Sequence, residues 1–206
     1  AAPVAPEGFT VTRYAEGLDH PRWVYVLPNG DVLVAESSSE PQQGGGLMGW
    51  IRNSVQRCAG ALHESPDRII LLRDSDGDGD VDARHVFAEN LNQPFGMALV
   101  GEYLYVANTD AVVRFRYTPN SVRAPGRSET ILELPYNEGD NGHWTRNLIA
   151  NEAGTKLYVA VGSVSNIGDN GMAVEEGRAA IWEFNPDGSQ ARIYASGLRN
   201  PVGMAW

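Results

Sequence analysis

One phrase returns along this chain and constrains its fold more than any other feature. It reads Gly17-Leu18-Asp19-His20-Pro21 before Trp23-Val24-Tyr25-Val26, then Asn90-Leu91-Asn92-Gln93-Pro94 before Phe95-Gly96-Met97-Ala98. It returns as Gly197-Leu198-Arg199-Asn200-Pro201 before Val202-Gly203-Met204-Ala205-Trp206. The first two copies each lead, after a short turn, into a second apolar run, at 32–35 and 103–107. A further unit lacks the Pro but keeps the order, with Asn147-Leu148-Ile149-Ala150, a turn, and Leu157-Tyr158-Val159-Ala160-Val161. Units in a fixed order bury their apolar faces against one another, so the chain is a repeat architecture.

The runs are short and bounded by turn chemistry. In Leu27-Pro28-Asn29-Gly30-Asp31 the Pro presets φ and Asn-Gly reaches positive φ, which makes a hairpin. Asn185-Pro186-Asp187-Gly188 repeats this between 181–184 and 192–194. The run 112–117 alternates from Val113 onward, as a half-exposed strand does. About four strands fit into each unit of roughly 50 residues, the size of a propeller blade. The expected fold is therefore an all-β propeller. Residues 1–206 supply three blades and the first strand of a fourth, with an insertion at about 37–66. An open arc would leave an unpaired edge and exposed apolar faces, so the remaining blades are expected from the same or a second chain. The fragment alone is expected to fold poorly.

The 206 residues are 42% hydrophobic with 23 Gly and 12 Pro, which suits short strands and tight turns rather than long helices. A net charge of -10 with no basic cluster excludes a nucleic-acid binder. No apolar run approaches the roughly 20 residues that span a bilayer. The single cysteine, Cys58, excludes an internal disulfide framework. The start Ala1-Ala2-Pro3-Val4-Ala5-Pro6 reads as a mature end after signal removal or as a boundary, and the expected location is secreted or periplasmic.

Several polar groups are candidates for chemistry. The run 137–147 holds His143 just before an inner strand, where propeller loops line the channel mouth, and a His there can act as a general base. The alternative is a turn with a His satisfied by a backbone carbonyl. Arg199-Asn200 enters the next blade, and a guanidinium fork beside an amide suits a carboxylate or quinone oxygen, or else knits blade to blade. Asp74, Asp76, Asp78 and Asp80 match the start of an EF-hand calcium loop, with Gly79 at the sixth position. Its twelfth position is His85 and strands rather than helices flank it, so a structural calcium competes with a plain acidic hairpin. The run 162–171 has the composition of an amide nest for an anion. Glu175-Glu176-Gly177-Arg178 reads as a charged channel-side or inter-blade loop making a surface ion pair. His20, His63, His85 and Cys58 receive no role.

In order, Leu71-Leu72-Arg73-Asp74 with its Asp-Gly run, 94–99, 104–110, His143-Trp144-Thr145, 157–163, Arg178-Ala179-Ala180-Ile181-Trp182 and 197–201 resemble the soluble quinoprotein sugar dehydrogenases, in the glucose/sorbosone (L-sorbosone) branch. The resemblance covers most of residues 8–206 apart from the insertion. It implies a six-bladed propeller carrying pyrroloquinoline quinone (PQQ) and calcium. It also implies oxidation of a sugar or sugar aldehyde by hydride transfer to the quinone, with a separate electron acceptor. The family's catalytic base falls on His143 and its cofactor-contacting pair on Arg199 and Asn200. Where glucose dehydrogenases of this group place an Asp, this chain has Ser163, which favours a sorbosone-like substrate. A cofactor-side Gln-Gly corresponds to Gln43-Gly44, and the ligands of the cofactor calcium fall beyond residue 206. The competing readings are a ligand-binding or scaffold propeller and a calcium-dependent lactonase-like propeller.

Overall fold

A computed structural model describes residues 3–39, 51, 54–55, 65–137, 141–168 and 171–206. Most of the expected insertion, including Gln43, Gly44, Cys58 and His63, lies outside the described residues. Among the described residues twelve strands make three four-stranded antiparallel sheets. The first holds β1 (Pro21–Val26), β2 (Val32–Glu36), β3 (Arg68–Arg73) and β4 (Ala83–Ala88). The second holds β5 (Met97–Val100), β6 (Tyr103–Ala107), β7 (Ala111–Arg116) and β8 (Glu129–Glu133). The third holds β9 (Leu148–Ala150), β10 (Leu157–Val161), β11 (Ala180–Phe184) and β12 (Arg192–Ser196). Spatial order follows chain order in each. No described helix is long and apolar enough to cross a membrane.

Side chains alternate between the two faces of a strand, and this alternation builds the packing. Leu33, Ala35, Ile69 and Leu71 of the first sheet meet Met97, Leu104, Val106 and Val113 of the second. The opposite face of the second sheet, with Ala98, Tyr105 and Val112, meets Leu148, Leu157, Val159 and Val161 of the third. The second sheet is covered on both faces, which explains why β6 reads Tyr-Leu-Tyr-Val-Ala without alternation.

The recurring phrase has a backbone cause. Its first residue is left-handed in all three copies, with φ of 67° at Gly17, 59° at Asn90 and 80° at Gly197. Gly and Asn reach that region at little cost. The Leu that follows donates its amide to the loop before it, Leu91 to Asp67 O and Leu198 to Ala179 O. The fourth residue is also left-handed at His20 and Gln93, whereas Asn200 is not. The third copy thus departs from the pattern at the amide that the resemblance singles out.

The two expected hairpins form. Leu27 and Asp31 close the first around Asn29-Gly30, with Gly30 at φ 90°. Asp31 accepts two bonds from Arg73, at 2.7 and 2.6 Å, which hold its carboxyl below the usual range. The 176–178 segment differs from expectation. Arg178 is 5% exposed rather than at the surface, near enough to the buried Arg146 for its charge to act on it.

The outer face of the third sheet is less covered. Trp206 packs edge-on against Tyr158 with centroids 5.1 Å apart, and its indole donates to Ala150 O at 2.7 Å. Tyr194 meets Tyr158 from another side at 5.1 Å. Beneath them lies a cleft of about 270 Å³ lined by Ile149, Tyr158, Ile181, Tyr194, Met204 and Trp206.

Candidate functional site

The site is built from the start of β1, the residues after β2 and the loops that lead into β5 and β9, whose strands are in contact. The first and third sheets share no apolar core, yet Trp144 Nε1 donates to Ser39 Oγ at 2.9 Å. Arg22, whose Nε donates to Ser37 O, stands 5.5 Å above the Trp144 ring. Phe95 of the second sheet's leading loop fills the gap, edge-on to Trp144 at 6.3 Å and 5.3 Å from Trp23. An arginine over an indole is held by the ring's negative face while its remaining donors stay available.

His143 stands beside this cluster, partly buried. Its amide donates to Ser163 O at 3.2 Å, and its ring Nδ1 lies 2.9 Å from the same carbonyl. A carbonyl only accepts, so Nδ1 carries the proton. Ser163 Oγ, 3.0 Å from Nδ1, spends its own proton on Ser165 O at 2.6 Å and therefore also accepts. In the neutral imidazole the lone pair is thereby fixed on Nε2, the form a general base requires. The carbonyl-satisfied His and the candidate base of the sequence reading are the same arrangement, since the carbonyl holds only Nδ1.

Gly162 makes the approach possible. A Cβ there would lie 2.5 Å from His143 Cβ and 2.9 Å from Asn200 Oδ1. Any side chain would drive His143 and Asn200 off the end of β10. Asn200 Oδ1 is buried and has no partner among the described residues, so this amide has capacity for a ligand. Ser163 N donates to Arg199 O at 2.8 Å, which ties the third sheet to the last copy of the phrase. The Arg199 side chain is exposed, with Nη1 bonded to Asn166 Oδ1 at 2.8 Å.

The loop after β10 is not an open anion nest. Glu175 fills it, accepting from Val164 N at 2.8 Å and Ser165 N at 3.1 Å. The carboxylate expected at the surface is instead a strut beneath Ser163. Asp74, Asp76 and Asp78 do come together, with carboxylate oxygens within 4.8 Å of one another, and Asp80 does not join them. Asp74 accepts from Gly79 N at 2.9 Å and Gly77 N at 2.7 Å, and these amides hold its carboxyl below the usual range. The trio sits on the β3–β4 hairpin, away from His143. Sequence reasoning missed Arg22 and the Ser163 contact. Arg22 directly follows the Pro that closes the first copy of the phrase, at the position of Phe95 in the second and Val202 in the last, so the repeat itself gave no signal for it.

The described site is a basic and amide-rich wall with one fixed imidazole. A cleft of about 630 Å³ elsewhere, lined by 86–90 and by Arg123, Ala124 and Arg127, contains none of these residues. Comparisons with known proteins agree with the fold. The family described as TrAA12-like matches residues 3–206. The calcium structure of a Trichoderma reesei Carbohydrate-Active Enzymes Family AA12 protein is 20% identical with a TM-score of 0.71, over 98% of this chain and 46% of that one. The holo pyranose dehydrogenase PQQ domain from Coprinopsis cinerea is 21% identical with a TM-score of 0.65, over 92% and 41%. The PQQ-bound aldose sugar dehydrogenase from Streptomyces coelicolor is 18% identical with a TM-score of 0.56, over 93% and 55%. The chain spans about half the length of these structures. No curated protein matches it.

Proposed function

The chain belongs to the TrAA12-like family, and from that premise we propose that it is part of a secreted or periplasmic quinoprotein that oxidises a sugar or sugar aldehyde. The substrate class is sorbosone- or aldose-like, and a separate acceptor removes the electrons. Each sheet is one blade of a six-bladed propeller, since the chain spans about half of its solved relatives. Two of those relatives are PQQ proteins by name.

The residues present fit such a cofactor. Arg199, Arg22 and the Asn200 amide offer donors to an acidic, planar, oxygen-rich molecule, and Asn200 Oδ1 is a buried acceptor awaiting a partner. When bound, PQQ supplies the hydride acceptor. The chain's own part is to bind, orient and move one proton. His143, with Nδ1–H spent on Ser163, takes the substrate hydroxyl proton at Nε2. Trp144 and Phe95 form an apolar floor that keeps water from the inner ends of the sheets. Asp74, Asp76 and Asp78 would hold a calcium ion that stabilised the β3–β4 hairpin and took no part in the chemistry.

The observation that carries this reading is the fixed imidazole tautomer of His143, packed on the same Gly162 as Asn200 Oδ1, which has no partner among the described residues. It is tested by dye reduction with the full gene product and an aldose and aldehyde panel, with and without PQQ and calcium. His143→Ala is expected to lower turnover by about 10²–10⁴-fold while leaving quinone binding by absorbance titration. A folded protein with neither turnover nor quinone binding would leave the scaffold reading in its place.

A further inference from the structure

Arg146 is the largest side chain that the described fold encloses completely, at 0% exposure. Burial and the neighbouring charge of Arg178 pull its pKa down to about 9, against the attraction of Asp110. A guanidinium is enclosed at such cost only where its fixed fork of donors meets oxygens. Here they do. Nη1 donates to His143 O at 2.7 Å and Thr145 O at 3.3 Å, and Nη2 to Pro135 O at 3.3 Å and Asn141 Oδ1 at 3.4 Å.

All four oxygens belong to the segment that carries His143. The segment is also anchored outward, because Gly96 N donates to Arg146 O at 2.9 Å and Asn141 Nδ2 to Thr109 Oγ1 at 2.6 Å. An apolar residue would fill the same space between the second and third sheets. It would not gather three carbonyls of one loop onto a single plane.

We propose that Arg146 is a positioning residue for the oxidation: through the His143 carbonyl it sets where the imidazole stands against Ser163 and Asn200, without touching substrate. A lysine keeps the charge but not the fork, so it cannot hold oxygens from both ends of the loop. This inference rests on the dehydrogenase reading for its kinetic arm alone.

The test compares wild type, Arg146→Lys, Asn141→Ala and Val159→Ala in the full gene product loaded with PQQ and calcium. Arg146→Lys is expected to lower kcat by roughly 10–100-fold with KM within about threefold, as a misplacement of about an ångström does. Asn141→Ala, which removes one of the four acceptors, is expected to cost a smaller factor in kcat. Val159→Ala weakens the apolar core between the same two sheets and is expected to lower the melting temperature while leaving kcat unchanged. Independently of turnover, carbethoxylation of His143 by diethyl pyrocarbonate, followed by peptide mass in the unloaded protein, is expected to accelerate in Arg146→Lys. Wild-type turnover with unchanged kcat and unchanged His143 modification in Arg146→Lys would overturn the proposal. If that variant does not fold, the same pair of null results in Asn141→Ala overturns it. A wild type without turnover would sink the dehydrogenase reading and leave the modification rate to decide the role of Arg146.

Discussion

The two faces of the third sheet are made from the same strands and meet different fates. On one, Leu148, Leu157, Val159, Val161 and Phe184 are at most 1% exposed and pack against the second sheet. On the other, Tyr194 is 52% and Trp206 73% exposed, while Tyr158 and Glu183 beneath them are 8% and 7% exposed. There Tyr158 donates to Glu183 at 2.7 Å, and Arg192 donates to the same carboxylate at 2.8 Å. Strand chemistry alone does not decide burial. A neighbouring sheet does, and the face without a covering sheet holds itself together with a hydrogen-bonded triad and an indole lid.

Substitutions on opposite faces therefore test whether the rest of the propeller covers the second. Leu157→Ala, on the covered face, is expected to cost about 3 kcal/mol in denaturant unfolding of the full gene product. The contacts described for Trp206 are one edge-on aromatic contact and one indole bond, about 1 kcal/mol for Trp206→Ala, and a fourth blade over this face is expected to raise that toward the Leu157→Ala cost. A cost that stays near ~1 kcal/mol in the full gene product would break the six-blade reading.

Tyr158→Phe should have the smallest effect at neutral pH and the most distinctive pH dependence. The Tyr158 bond, followed by that of Arg192, holds the Glu183 carboxyl below its usual range, and the same pairing pushes the Tyr158 hydroxyl up to about 12. A depressed carboxyl contributes stability above its unfolded pKa, and this is lost as pH falls through the folded value. A raised phenol contributes stability below its unfolded pKa, and this is lost as pH rises from there. The gap between wild type and variant is expected to be full between about pH 5 and pH 10 and to close on both sides. Curves that stay parallel below about pH 5 and above about pH 10 would show that the pair contributes nothing.

The repeat phrase, the hairpins at Asn29-Gly30 and 185–188, and the four-strand units were all legible because each is a local backbone requirement. The polar groups that tie the site together were not. Arg146 sits in the run Gly142-His143-Trp144-Thr145-Arg146-Asn147, which reads as loop, and only the meeting of two sheets encloses it. Glu175 looked like surface charge because its partners, the amides of Val164 and Ser165, are backbone groups that leave no mark in side-chain patterns. His143 was legible as a candidate, but the tautomer required knowing that the end of β10 folds under it. The Asp74–Asp82 run suggested four ligands at alternating positions, whereas the hairpin gathers Asp74, Asp76 and Asp78 and leaves Asp80 out.

The bond from Trp144 to Ser39 joins residues 105 apart in the chain. Each sheet is a local meander whose hairpins close within microseconds, whereas a contact of that separation waits for every intervening loop to be ordered. The sheets can therefore form one after another as the chain emerges, but the pocket floor has no precursor until the third is in place. A nascent chain with two sheets lacks this floor. The floor arrives late and in one step, when the indole crosses to the first sheet.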